Sequence, residues 1–196
     1  MTWLPGLEPP PPPTEGHDGA GDEWYTPEAW GRVVEHALLG IDLDPCAAPG
    51  SPTSALATHQ LDVRTGDNGL HGPWPIDAVT VFCNPPWSNV APWLERCWVE
   101  SKRAGRSVVM LIPARVETKA WHRWIWSSPA GGEGAHVVFP GRRPRFVGCD
   151  GKTHGNGMIA VALVTWDLAV AFRLREGLAR IDVPAALVMN RRDRIW

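Results

Sequence analysis

The chain has 196 residues and a net charge of −2, enough length for one α/β domain with a full core. Its four cysteines, at 46, 83, 97 and 149, form no Cys-x-x-Cys pair and have no histidine cluster beside them. That pattern argues against a zinc site or a disulfide framework and fits reduced thiols in a cytosol. With no signal peptide and no apolar run of the roughly 18 residues that a membrane span needs, the expectation is a soluble, cytoplasmic protein without membrane or metal.

The charge is unevenly spread. Residues 1–100 carry three Lys/Arg against 14 Asp/Glu, and residues 101–196 carry 16 against seven. Such asymmetry points to a polyanion-facing surface or, with equal weight, to a solvated basic face.

Residues 1–22 hold a five-proline run from Pro9 to Pro13, then Gly, Asp and Glu with almost nothing apolar, so a disordered or polyproline II tail is expected. Order begins near Asp22. Thr26 is a good N-cap, Pro27 a good first helical residue, and Glu28 favours the positive end of the dipole. Trp30, Val33, Val34, Ala37 and Leu38 recur at helical spacing, predicting a helix to about Gly40. Ile41 to Asp44 alternates as a strand and runs into small, turn-forming residues from Pro45 to Pro52. A strand ending in an acid and then a small-residue loop lets backbone approach a ligand closely. No Gly-x-Gly-x-x-Gly is present, so a dinucleotide site is not indicated. Thr53 to His59 offers a weak helix, and residues 60–77 show turn markers (Asp62, Asp67, Asn68, Gly69) without a periodic pattern.

Ala78 to Cys83 is a short apolar run of the kind found in buried parallel strands. Asn84-Pro85-Pro86-Trp87 cannot continue it, because proline lacks the ladder donor and forces its predecessor into an extended or turn geometry. A stiff loop results, carrying one amide and one aromatic ring where ligands sit in open α/β sheets. Ser88 or Asn89 can cap the next helix, with Trp93, Leu94, Cys97 and Trp98 as its buried stripe and Gly105 as its end. Ser107 to Ile112 predicts a second central parallel strand, and residues 118–127 a short helix with Trp121, Trp124 and Ile125 inward. His136 to Phe139 and Met158 to Trp166 read as two more strands, and Leu168 to Ala179 as a final amphipathic helix. The domain is thus expected over 23–180, with a basic C-terminal tail at 181–196.

Two basic groups stand out. Arg115, Lys119 and His122 follow a strand at the edge that carries the Asn-Pro-Pro loop, and they approach DNA phosphate or a cofactor carboxylate or form exposed salt bridges. The 18-residue connection Pro140 to Gly157 holds Arg142, Arg143, Arg145, Phe146, Lys152 and His154. It is longer than a structural turn requires. Its arginines are read as a DNA contact or as a mobile basic hairpin.

An exocyclic amine on a nucleobase is a poor nucleophile, because its lone pair is delocalised into the ring. A site that accepts hydrogen bonds from both amine hydrogens draws that lone pair toward a methyl donor, without a general base. Asn84 would supply an amide oxygen, Pro85 a backbone carbonyl, and Trp87 a face for stacking, a contact typically worth about 1–3 kcal/mol. The base must first leave its duplex.

Asn84-Pro85-Pro86-Trp87 resembles the Asn/Asp-Pro-Pro-aromatic motif of amino-methyltransferases. With Glu23 to Pro27, Leu43 to Ala47, Gly69-Leu70 with Trp74, Leu111 to Arg115 with Thr118 and Trp121-His122, and Gly141-Arg142 with Phe146, the chain resembles the phage-type DNA N-6-adenine methyltransferase (Dam) family. The match covers about residues 22–166. The resemblance implies a compact Rossmann-like methyltransferase sheet, one or two strands short, with a C-terminal antiparallel strand pair. It also implies an adenine-specific enzyme that uses S-adenosylmethionine on duplex DNA with a flipped adenine. Thr26 and Pro27 would meet the methionine end of the cofactor, and Asp44, Pro45, Cys46 and Ala47 would form its main contact. Either Asp62 or Asp67 would bind the ribose. The alternatives are another amine acceptor (the cytosine amine or a protein glutamine) and a non-catalytic DNA-binding module. Ala47-Ala48-Pro49 stands where many methyltransferases have a glycine-rich turn, and only 39 residues separate Asp44 from Cys83.

Overall fold

The computed structural model describes residues 24–48, 50–127, 134–148 and 159–190. The proline-rich segment, Lys152, His154 and the last six residues lie outside these ranges. In chain order the strands are β1 (Trp24–Tyr25), β2 (Ile41–Asp44), β3 (Ala57–Gln60), β4 (Thr80–Cys83), β5 (Ser107–Pro113), β6 (His136–Pro140), β7 (Val147–Gly148), β8 (Val161–Thr165) and β9 (Ala185–Val188). The helices are α1 (Glu28–Leu38), α2 (Val90–Arg103), α3 (Lys119–Trp121), which continues as a π turn over His122–Trp126, and α4 (Leu168–Arg180).

Seven strands form one mixed sheet in the order β3-β2-β4-β5-β8-β6-β9. The first four are parallel, and β8 is antiparallel to both β5 and β6. β5 and β6 therefore run the same way, and β9 runs against them. β1 and β7 pair separately as a short antiparallel ribbon.

The apolar runs of β4 and β5 form central strands because they have a core on each face. Val81, Cys83, Val108, Met110 and Ile112 pack with the α2 residues Trp93, Leu94, Cys97 and Trp98, and with Trp121 and Trp124. Phe82, Val109 and Leu111 point the other way, into Trp30, Val33 and Val34 of α1 and Val170, Leu174 and Leu178 of α4. Alternation along the strands thus feeds two helical layers. Each fully buried Leu or Val contributes roughly 1.5–3 kcal/mol.

Four expectations change. The Thr53–His59 segment is a 3₁₀ turn over Ser54–Leu56 followed by edge strand β3, in which Ala57 alone is buried. The sheet continues past residue 180, since β9 pairs with β6 inside what the sequence suggests is a basic tail. That makes three strands beyond β5 and not a pair. Thr26 does not cap α1; the N-cap is Pro27, whose carbonyl accepts from the Trp30 and Gly31 amides, and Thr26 is 2 % exposed.

One topological feature places the site. From β2 the chain goes to β3 on one side, then returns to β4 on the other. At such a switch point the loops leave in opposite directions and open a crevice at the carboxyl ends of the strands.

Candidate active site

A cleft of about 260 Å³ lies at that point, lined by Thr26, Asp44 to Ala48, Asp62 and Asn84 to Trp87 among others. The topology brings the remaining sequence candidates to the same edge. β5 and β6 run parallel to β4, so the segments after them, with Arg115 and with Arg142 to Arg145, emerge where Asn84 does. Arg115, Lys119, His122, Arg142, Arg143 and Arg145 are exposed and stand outside the cleft. Pro27, half-buried at the start of α1, also lies outside it.

Asn84 is held at both ends. Its Nδ2 donates to Thr26 Oγ1 at 3.3 Å, and its Oδ1 accepts from Trp87 Nε1 at 3.2 Å. The indole N–H is a donor only, so the Asn84 atom facing it must be the oxygen, which fixes the amide orientation. The same tetrad turns directly into a helical segment, with the Asn89 amide donating to the Pro86 carbonyl at 3.1 Å. Pro85 is buried and Pro86 exposed. The Trp87 ring stands edge-on to Phe146, with centroids 5.0 Å apart and an interplanar angle of 89°.

Asp44 ends β2 and is 5 % exposed. Burial pushes its carboxyl from 3.8 up to about 6, against the pull of the Ser54 hydroxyl at 2.7 Å and the Cys46 amide at 3.0 Å. Its backbone carbonyl accepts from Leu61, and Ala47 donates to the Leu61 carbonyl, which ties the small-residue loop to the end of β3. Gly69 comes from a distant turn and lies so close to the Pro45 carbonyl that a Cβ would overlap it. Trp74 Nε1 secures that turn through the Gly69 carbonyl at 2.6 Å.

Asp62 lines the cleft and Asp67 does not. Desolvation works against the Asp62 charge, but the Arg64 side chain at 2.9 Å and the Arg64 amide at 3.0 Å outweigh it and lower its pKa. Asp67 instead accepts from Thr65 on the exposed turn. Burial raises the Cys46 thiol to about 11 and lifts Cys83 and Cys97 well above their ordinary range. Burial thus favours the neutral thiol at all three near neutral pH. Among the described residues no group of three or more His, Cys, Asp or Glu side chains could hold a metal ion.

Sequence reasoning passed over Ser54 and Arg64. Both line the cleft and bond its carboxylates, Ser54 to Asp44 and Arg64 to Asp62, and neither sits in a recognisable spacing.

These features define a mixed α/β protein with a cleft at a topological switch point, flanked by basic loops on the same edge. The chain belongs to the DNA N-6-adenine-methyltransferase (Dam) family, whose model matches residues 14–170. That family is one of DNA adenine methyltransferases. No curated protein and no solved structure matches the chain. No helix among the described residues is long and apolar enough to cross a membrane.

Proposed function

We propose that this protein transfers a methyl group from S-adenosylmethionine to the N6 amine of an adenine flipped out of duplex DNA, as a phage-type enzyme. The observation that carries the reading is the Asn84 amide, fixed by Thr26 and Trp87 on the cleft that also holds the buried Asp44 carboxylate. We read the sheet as a compact Rossmann-like methyltransferase sheet, with the cofactor half at β2 and β3 and the acceptor half at β4.

The donor set fits the cofactor. Two carboxylates, Asp44 and Asp62, suit a cationic molecule with a ribose diol, and Pro45, Cys46 and Ala47 line the same cleft. Asp44, Pro45, Cys46 and Ala47 would form the main contact, Asp62 the ribose contact, and Thr26 and Pro27 the methionine-end contact. When bound, S-adenosylmethionine supplies an electrophilic methyl group on a sulfonium.

The chain's own residues prepare the amine. An amide oxygen has two acceptor positions, so Asn84 Oδ1 can take an amine hydrogen while keeping its Trp87 bond. The Pro85 carbonyl would accept the second hydrogen. Two fixed acceptors favour the positive charge that develops on the amine and cost no reorganisation when it does. Trp87 gives the base a stacking surface, and Arg115, Lys119, Arg142, Arg143 and Arg145 would hold the flanking phosphates.

Incubation with duplex DNA and labelled S-adenosylmethionine, followed by digestion, tests this reading. Label is expected in N6-methyladenine for the wild type and at background for Asn84→Ala. Label in cytosine alone, or in protein, would reassign the acceptor.

A further inference from the structure

The β1–β7 ribbon has no part in the main sheet, yet it joins two segments that both reach the tetrad. Its register sets Tyr25 opposite Val147, so Thr26 and Phe146 are the next residues on the two paired segments. Thr26 accepts from Asn84 Nδ2 at 3.3 Å. Phe146, 9 % exposed, meets the Trp87 ring at right angles, and Trp87 Nε1 donates to Asn84 Oδ1. The contacts close a circuit from β1 through Thr26, Asn84, Trp87 and Phe146 to β7. Phe146 is also the chain neighbour of Arg145, at the end of the exposed basic loop.

We infer that Phe146 is a positioning residue for Trp87 and, through the indole N–H, for the Asn84 amide. The inference rests on the proposed methyl transfer. Phe146 touches neither substrate nor cofactor in this scheme; it fixes the plane of the ring that orients the acceptor oxygen. Trp87 is only partly buried, lines the cleft and packs at the margin of the core cluster that contains Phe146, so this edge-to-face contact limits the tilt of the ring.

Phe146→Leu keeps apolar volume and removes the ring, and Phe146→Tyr restores it. Three quantities are read: kcat at saturating S-adenosylmethionine and duplex DNA, S-adenosylmethionine affinity by calorimetry, and the Trp87 indole N–H resonance in ¹⁵N-tryptophan-labelled protein. That resonance is assigned by its loss in Trp87→Phe. For Phe146→Leu we expect kcat to fall about tenfold, affinity to stay within about twofold, and the resonance to move, because small misplacements of reacting groups cost rate before binding. Phe146→Tyr returns kcat and resonance to near the wild-type values. An unmoved resonance, a kcat within about twofold of wild type, or a parallel fall of kcat and affinity would overturn the inference. If Phe146→Leu does not fold, Phe146→Met takes its place with the same readings. If the wild type methylates no DNA, the functional reading fails, while the resonance still decides the positioning.

Discussion

Asp44→Asn separates the roles of the buried carboxylate most sharply, because folding and binding should respond in opposite directions. Asp44 is 5 % exposed, and its carboxyl is pushed from 3.8 up to about 6. A raised folded-state pKa means that the folded protein holds the proton more tightly than the unfolded chain. The associated stability is present below the unfolded value and is lost as pH rises through about 6. A rise from 3.8 to about 6 corresponds to about 3 kcal/mol of penalty on the ionised form near neutral pH. Asparagine carries no charge, keeps an oxygen for the Cys46 amide, and loses part of the Ser54 bond. Differential scanning calorimetry near pH 8 should therefore show Asp44→Asn melting several degrees above wild type, at about 2–4 °C per kcal/mol for a chain of this size. The gain should vanish near pH 4, where wild-type Asp44 is already protonated. Calorimetric titration at about pH 8 should show S-adenosylmethionine affinity reduced roughly ten- to hundredfold, the value of a hydrogen bond to a charged group. A variant less stable than wild type at both pH values would refute the burial argument. Unchanged affinity would remove Asp44 from the cofactor contact.

Three other outcomes follow from the cleft and its rim. Trp87→Phe keeps the ring and deletes the donor to Asn84 Oδ1, so kcat should fall about tenfold with cofactor binding nearly intact; stopped-time methyl transfer and calorimetry check it. Gly69→Ala drives a Cβ into the Pro45 backbone, which has no flexible end to yield. Thermal unfolding should register a loss of about 1–3 kcal/mol, and cofactor affinity should drop as the Pro45 loop is displaced. Replacing Arg142, Arg143 and Arg145 together by alanine should weaken DNA binding uniformly across sequences. It should also reduce the slope of log affinity against log salt by about three if each contacts one phosphate. Fluorescence anisotropy over a salt series reads that slope.

The strongly periodic and fully buried elements were legible in the sequence. The α2 stripe of Trp93, Leu94, Cys97 and Trp98 and the runs of β4 and β5 carry their burial in their composition. Asn84-Pro85-Pro86-Trp87 was legible because two prolines forbid every alternative to a strand end. Edge strands were not. β3 reads Ala-Thr-His-Gln with one buried residue, and β9 buries no residue fully, so neither has an apolar run to announce it. Thr26 has the sequence of an N-cap, but β1–β7 pairing carries it toward Asn84, and a tertiary contact replaces the local one. The Ser54–Asp44 bond and the Gly69–Pro45 contact join residues 10 and 24 positions apart across loops without periodicity. Only the folded chain brings them together.

Methylation of DNA adenine depends on the Asn84 amide oxygen if that oxygen holds the amine. Mass-spectrometric measurement of N6-methyladenine in digested DNA from cells expressing the wild type or Asn84→Ala, in a host without adenine methylation of its own, tests it most directly. N6-methyladenine is expected well above background with the wild type and absent with Asn84→Ala at equal protein levels. N6-methyladenine at equal levels from both proteins, or none from the wild type, would contradict it.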